Sequence, residues 1–358
     1  MRIRLNNGVG SALAAAALFG ISAPFAKLLL RDSSPQLLAG LLYLGSGSGL
    51  SVLWLLQRQK SNESEAALTR KDFGWLAGAI AFGGVLGPLF LMLGLVRTSG
   101  STASLLLNLE GVFTALLAWF VFRENFDRRI ALGMAAIVAG SLLLSWQGRV
   151  SLTEMIGPLA VVAACLCWAI DNNLTQKVAA ADPVQIAMLK GLVAGIVNVS
   201  IAMMLHAQWP PAVHVGYALV LGFVSYGLSL VQFVLALRHL GTARTGAYFS
   251  IAPFIGASAS LLIFQERPGA LLFAAAALMG VGVWLHLTER HAHEHLHEPL
   301  DHEHPHVHAP LDEHHQHVHR AGDPPLTDPV PHTHWHHHEP MRHNHPHYPD
   351  IHHRHGHD

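Results

Sequence analysis

Apolar residues fall along this chain in long unbroken runs separated by short polar turns. Ten runs of roughly 20 residues occur, at about 8–30, 35–56, 73–96, 101–122, 128–147, 155–177, 184–206, 214–237, 241–264 and 268–288. That is the length a helix needs to cross a hydrocarbon core of about 30 Å. Lipid permits only helices or closed barrels, and these runs lack the alternation of barrel strands. The elements predicted are therefore ten transmembrane helices, and the fold class is all-α integral membrane. The short connections leave little room for a soluble domain. Arg2 and Arg4, followed by the apolar Ala12–Ala17 stretch, resemble the start of a signal peptide. The run continues past Lys27 and nine more follow, so an uncleaved first span is expected.

Lysine and arginine in the short loops set the orientation. With the N-terminus in the cytoplasm, the inner segments hold Arg2, Arg4, Arg58, Lys60, Arg70, Lys71, Arg123, Arg128, Arg129, Lys177, Arg238, Arg244 and Arg290. The outer loops hold only Arg31, Arg97, Arg149 and Arg267. Both termini are expected in the cytoplasm, in a multi-pass protein of the inner (plasma) membrane. Two cysteines, Cys165 and Cys167, share the sixth span. A C-x-C pair on a helix points its thiols about 200° apart, so packing, not a disulfide or a metal pair, is expected of them.

The ten spans divide into two halves, 8–147 and 155–288. Arg97-Thr-Ser-Gly100-Ser-Thr102-Ala103 opens the fourth span, which closes on Phe122-Arg123-Glu124. Arg238-His-Leu-Gly241-Thr242-Ala243 opens the ninth, which closes on Phe264-Gln265-Glu266. Pro35 opens the second span and Pro183 the seventh. Each carries a GxxxG pattern, Gly45 to Gly49 and Gly191 to Gly195, which permits close helix contact in lipid. Five spans per half is an odd number, so the second half enters the bilayer from the opposite side. Inverted repeats of this kind belong to secondary transporters, which bind cargo near the midplane between the halves.

On these features residues 8–288 resemble the drug/metabolite transporter superfamily, of the EamA type. The likeness rests on the ten-span plan, the small-residue openings of the fourth and ninth spans, and Glu124 and Glu266 at their ends. A proline partway along each of those spans is usual in the family. Pro253 fits in the ninth; in the fourth the matching residue is Gly111, preceded by the unusual Glu110. A basic residue early in the second helix of a repeat is matched by Lys190, while Leu41 and Leu42 occupy that region in the first half. The resemblance implies transport of small organic solutes, inward or outward, without naming the cargo.

Ionisable side chains deep in a span are costly and usually face a cavity or a partner. Glu110 stands in Asn108-Leu-Glu110-Gly111 of the fourth span. Asp171 stands in Trp168-Ala-Ile-Asp171-Asn172-Asn173 of the sixth, and Lys190 lies two turns into the seventh. The functional reading is a polar cavity where Glu110 or Asp171 takes up a proton or binds a cationic group, with Asn108, Asn172 and Trp168 beside it. The plainer reading pairs Asp171 with Lys190 to lock two helices. Glu124 and Glu266 read as helix-end charges and Lys27 as a snorkelling lysine. Trp119 and Trp168 are candidates to line a cavity. Trp54, Trp146 and Trp284 fit interface belts or packing. No phosphate-binding loop occurs, which argues against ATP-driven transport, and nothing suggests an enzyme or a nucleic-acid partner.

The segment 291–358 differs in kind. It holds 24 of the chain's 28 histidines and few large apolar residues. Such a composition cannot offset chain entropy, so a disordered His-rich tail is expected, of the sort that binds metal. Neutral imidazole ligates Zn, Ni and Co ions. The candidate metal ligands are His291, His293, His295, His297, His302, His304, His306, His308, His314, His315, His317, His319, His332, His334, His336, His337 and His338. Two formal H-E-x-x-H matches, at His293–His297 and His302–His306, arise from alternating His and Glu, and Pro305 interrupts the second. A protease site needs that motif on an ordered helix.

The sequence therefore points to a secondary transporter of small organic solutes carrying a metal-binding cytoplasmic tail, with a homodimer left open. The alternatives are a transporter whose cargo is Zn, Ni or Co, and a membrane-anchored metal-binding protein. Against the former, His206, His214, His239 and His286 all lie near span ends.

Overall fold

The computed structural model describes residues 7–58, 68–121, 128–145 and 152–288, together with 292–296, 300–306, 332–338 and 342–346 of the tail. Among the described residues, eight helical segments are long and apolar enough to cross a membrane: Gly8–Leu29, Pro35–Leu56, Asp72–Arg97, Gly100–Phe120, Met155–Gln176, Pro183–Met204, Ala212–Thr242 and Arg244–Phe264. Two shorter apolar stretches, Ala131–Leu143 and Ala270–Leu285, supply the fifth and tenth spans. They lie in the 18-residue helices Arg128–Ser145 and Ala270–Leu287, each reaching about 27 Å at about 1.5 Å per residue. The outward surface is apolar: Leu142, Val220 and Leu262 are 67%, 65% and 80% exposed. Charged and amide side chains such as Glu110, Asp171, Asn172, Lys190 and Asn198 are buried. That inversion suits a protein whose solvent is lipid.

The spans pack in pairs that respect the repeat. The second lies against the seventh, the fifth against the tenth and the fourth against the ninth. The third–sixth contact is matched by the eighth–first contact. Exchanging the two halves maps this set of contacts onto itself. The second and seventh spans touch backbone to backbone. A Cβ added to Gly191 would fall 2.7 Å from the Cα of Gly47, and one added to Gly195 would fall 2.6 Å from the amide nitrogen of Leu44. The other GxxxG pattern serves a different neighbour: Gly45 abuts the backbone of Leu219, and Gly49 the ring of Phe223, both in the eighth span.

Three spans are broken. In the first, helix gives way at Ile21, between Asn7–Gly20 and Ser22–Leu29; Pro24 has no N–H to continue the ladder to Gly20. The fourth breaks at Leu107 and Asn108, between Gly100–Leu106 and Leu109–Phe120. The ninth breaks at Ser250 and Ile251, just before Pro253 in Ala252–Phe264. Both of the latter breaks tighten to i→i−3 bonds: Asn108 N to Leu105 O at 3.1 Å, and Ile251 N to Tyr248 O at 3.3 Å. The eighth and ninth spans join at Gly241, whose φ of 72° belongs to the region that favours glycine.

The third span of each half also contains a wide turn of π-helix, Ile80–Leu86 in one and Gly222–Leu228 in the other. A π turn shifts the hydrogen-bond ladder and frees carbonyls to take other partners. In the tail, backbone strands pair antiparallel, Ala292–Leu296 with Arg342–Pro346 and Leu300–His306 with His332–His338. Those pairings were not among the expectations, and the rest of the tail lies outside the described residues.

The close contact of the second and seventh spans gives a direct test. A leucine side chain at position 191 has no free space and meets backbone. Overpacking of this kind costs about 1–3 kcal/mol even where side chains give way. Gly191→Leu should lose most monodisperse protein in size-exclusion chromatography after detergent extraction. Gly10→Leu, where an added Cβ meets nothing within 4 Å, should extract like the parent. Equal yields for the two would contradict the packing described.

Candidate functional site

The centre of the bundle holds two linked polar groups. The first is built on the sixth and seventh spans. Lys190 Nζ lies 2.5 Å from Asp171 Oδ1, with side chains 1% and 9% exposed. Thr175, one turn beyond Asp171, donates its hydroxyl to the same Oδ1 at 2.8 Å and accepts from Lys190 at 3.0 Å. The pair therefore carries its own third member, and two of the lysine's three donors are taken by Asp171 and Thr175. Such pairing is what buried charges require, because removing them from water costs several kcal/mol per ion. The i, i+4 spacing of Asp171 and Thr175 puts both on one helix face. The α-carbon of Gly83, in the third span's π turn, sits against the Asp171 carboxylate, and a side chain there would clash with it.

The second group surrounds Glu110, which follows directly after the break in the fourth span. Asn172 donates its amide to Glu110 Oε1 at 2.8 Å and to Thr114 Oγ1 at 3.2 Å. Asn173 ties the same two helices by donating to Thr114 O at 3.2 Å. Among the described residues, Glu110 forms no ion pair, and its Oε2 has no protein donor. Glu110 is nonetheless only 9% exposed. A buried carboxylate without a cation is unstable in low dielectric, so it calls for a proton or a cationic ligand.

Two adjoining cavities meet at Glu110, with roughly 430 and 480 Å³ of space counting their open mouths. Phe19, Asn172 and Phe249 line both. One runs between the broken stretches of the first, fourth and ninth spans, past Ser104, Ser250 and Pro253. The other is walled by Tyr43, Trp168, Tyr226 and Phe233 and reaches the Asp171–Lys190 pair. The rings are held by contact and by the π turn. Phe19 meets Trp168, Tyr226 and Phe249 with centroids 5.8, 5.6 and 5.3 Å away. Tyr43 Oη and Trp168 Nε1 donate to the freed carbonyl of Gly83 at 2.7 and 3.0 Å. Next to it, Gly84 O accepts from Asn198 at 2.9 Å, and Asn198 accepts in turn from Gln36 at 2.8 Å.

Of the residues expected at the pathway, Glu110, Asp171, Asn172, Lys190 and Trp168 come together on these walls. Asn108 does not line them. It is fully buried, donates to Leu105 O at 3.1 Å and contacts Met279 Sδ of the tenth span at 3.9 Å. Trp119 stacks on Phe120 at the lipid-facing surface, 37% exposed, and so does not line the cavity. Glu266 caps a helix, as a helix-end charge should. It accepts from Gly100 N at 3.0 Å, Ser101 N at 3.3 Å and the Ser101 hydroxyl, at the start of the fourth span. Lys27 donates to Leu95 O at 2.9 Å and to Thr98 O, closing the end of the third span. Glu124 and Trp146 lie outside the described residues, as do the side chains of the tail histidines. The sequence reading missed Phe19, Tyr43, Thr114, Thr175, Tyr226, Phe233 and Phe249. Only Thr175 carried a local signal, its i+4 spacing from an intramembrane aspartate.

Comparison with known proteins agrees with this architecture. The chain belongs to the EamA-like transporter family, whose model matches residues 6–146 and again 155–288. An uncharacterized transporter of Methanothermobacter thermautotrophicus is 29% identical over 294 residues, which is 78% of this chain and 85% of that protein. A probable amino-acid metabolite efflux pump of Salmonella typhimurium is 23% identical over 296 residues, 77% of this chain and 93% of that one. A probable 4-amino-4-deoxy-L-arabinose-phosphoundecaprenol flippase subunit, ArnE of Pseudomonas fluorescens, is 39% identical over 110 residues, 29% of this chain and 96% of its own. A solved crystal structure shares the fold with a TM-score of 0.60 at 16% identity, covering 78% of this chain and 95% of the other. The protein is a multi-pass membrane transporter.

The buried pair predicts a particular pattern of losses. Asp171→Asn or Lys190→Met alone strands a buried charge and should cost about 3–5 kcal/mol, whereas the double variant should cost less. Thermal unfolding of the purified proteins in detergent reads this directly. Additive losses would show that the two side chains act independently.

Proposed function

We propose that this chain is a secondary transporter of small organic solutes, and that cargo occupies the cavity at Glu110. One observation carries the reading. An uncompensated carboxyl sits where the broken fourth span faces the broken ninth, between two inverted halves. Broken helices at such a meeting point supply polar backbone and side chains to a ligand in an otherwise apolar medium. The Asp171–Lys190 pair is fixed by Thr175, so Glu110 is the group left to exchange a proton or a cation during a cycle. The name of the Salmonella typhimurium relative, a probable amino-acid metabolite efflux pump, supports a small-metabolite cargo. In this reading the protein lies in the inner membrane with both termini in the cytoplasm. The His-rich tail holds Zn, Ni or Co ions there, apart from the translocation path.

The test is counterflow of radiolabelled amines, amino acids and drug-like cations in proteoliposomes, across a range of external pH. Glu110→Gln keeps the shape and the Asn172 contact but removes the exchangeable charge. It should fold and lose at least about tenfold in coupled transport, equivalent to about 1.4 kcal/mol, with no remaining response to pH. A chain ending at residue 290 should still transport while no longer binding metal. Transport by Glu110→Gln equal to the parent at every pH would remove Glu110 from the mechanism.

A further inference from the structure

The cavity's chemistry selects among organic solutes. We propose that the cargo is a monovalent organic cation, an amine with a small aromatic or alkyl body, in preference to a zwitterionic amino acid. This rests on the cavity at Glu110 being the cargo site.

Three observations combine. First, the acidic and basic side chains among the residues lining the two cavities are Glu110, Asp171 and Lys190. Asp171 and Lys190 cancel at 2.5 Å, so an ionised Glu110 leaves the walls with a single negative charge. A cargo of one positive charge neutralises it. Second, Lys190, the one cation among the residues lining those walls, is already paired. The charge of Lys190 is balanced by Asp171 and two of its donors go to Asp171 and Thr175, and drawing it away would leave Asp171 buried and unpaired, which is a strong penalty. An α-carboxylate would also sit beside Glu110 in low dielectric and be repelled. Third, the cavity that holds the carboxyl is lined by aromatic rings. Phe19, Tyr43, Trp168, Tyr226, Phe233 and Phe249 all border the same space as Glu110. Phe19 is the hub, with three of those rings within 6 Å, centroid to centroid. Ring faces attract an ammonium group through their quadrupole and pack its apolar body. A lone carboxylate within a box of rings therefore recognises a hydrophobic amine twice, at its charge and at its body. The zwitterion is selected against because its carboxylate would be buried without a partner and beside a like charge.

Three ligands sharing one skeleton test this: phenethylamine, phenylalanine and 2-phenylethanol, a cation, a zwitterion and a neutral alcohol. Binding to the full purified chain in detergent is measured by isothermal titration calorimetry near neutral pH. Phenethylamine should bind at least about tenfold more tightly than either analogue, a difference of about 1.4 kcal/mol. Glu110→Gln should lose that preference. Phe19→Leu, which keeps bulk but removes the hub ring, should weaken phenethylamine by about three- to tenfold and leave 2-phenylethanol less affected. The second variant keeps the test decisive if the first extracts poorly. Phenylalanine binding as well as the amine, still dependent on Glu110 or Phe19, would overturn the cation preference while leaving the cargo site in place. Binding of all three that is indifferent to both substitutions would overturn the cargo site itself.

Discussion

The ion pair between Lys190 and Asp171 is the contact on which the centre of this protein depends. In lipid there is no water to take up a charge that loses its partner, so a lysine 1% exposed must be matched completely or not be there. Thr175 bridges the two partners, and Gly83 leaves room for the carboxylate. Because Asp171 sits one residue before Asn172, fixing the pair also fixes the amide that reaches across to Glu110 and Thr114. The sixth span thereby joins a locked charge on the seventh to an unmatched charge on the fourth. That contrast, one carboxyl held by a lysine and a threonine and its neighbour left with a single donor, is what gives the cavity a polarity.

The surrounding frame is what makes such a centre affordable. Glycines at 47, 191 and 195 let the second and seventh spans meet at their backbones, so Asn198 and Gln36 can bridge them in a dry interior. The π turn in the third span exposes the carbonyls of Gly83 and Gly84, and Tyr43, Trp168 and Asn198 consume them at once. In the third span, the departure from regular helix is met by side chains of the second, sixth and seventh spans, as a hydrocarbon solvent demands. The breaks in the fourth and ninth spans then fall on either side of the cavity, where the two halves of the family fold face each other.

Much of this was legible in the sequence, and the rest was not for physical reasons. Hydropathy over 20-residue windows locates spans well because lipid imposes one length on all of them; Pro35, Pro183 and Gly241 mark entry points that the backbone respects. Asp171 and Lys190 announced themselves as charges in apolar runs, and so did Glu110. The aromatic box did not. Phe19, Tyr226 and Phe249 stand in three separate spans among dozens of apolar residues, and only the packing shows that they converge. The π turns left no local signature beyond glycines; in the third span the freed carbonyls lie where other spans supply donors, which only the packing reveals. Asn108 and Trp119 were drawn toward the pathway by sequence proximity to Glu110 and by residue type. Helix rotation instead turns one to Met279 and the other to the lipid-facing surface.

The account stands on the difference between the two buried carboxyls, one held by a lysine and the other free to exchange its partner. Carbodiimide labelling of the membrane-embedded protein, followed by mass spectrometry of its peptides, reads that difference directly. A hydrophobic carbodiimide modifies protonated carboxyls in apolar surroundings and spares those held in ion pairs. The account predicts modification at Glu110, protection of Glu110 by bound cargo, and no modification at Asp171 unless Lys190 is replaced. Equal modification of Asp171 and Glu110 in the parent protein, or an unreactive Glu110, would contradict it.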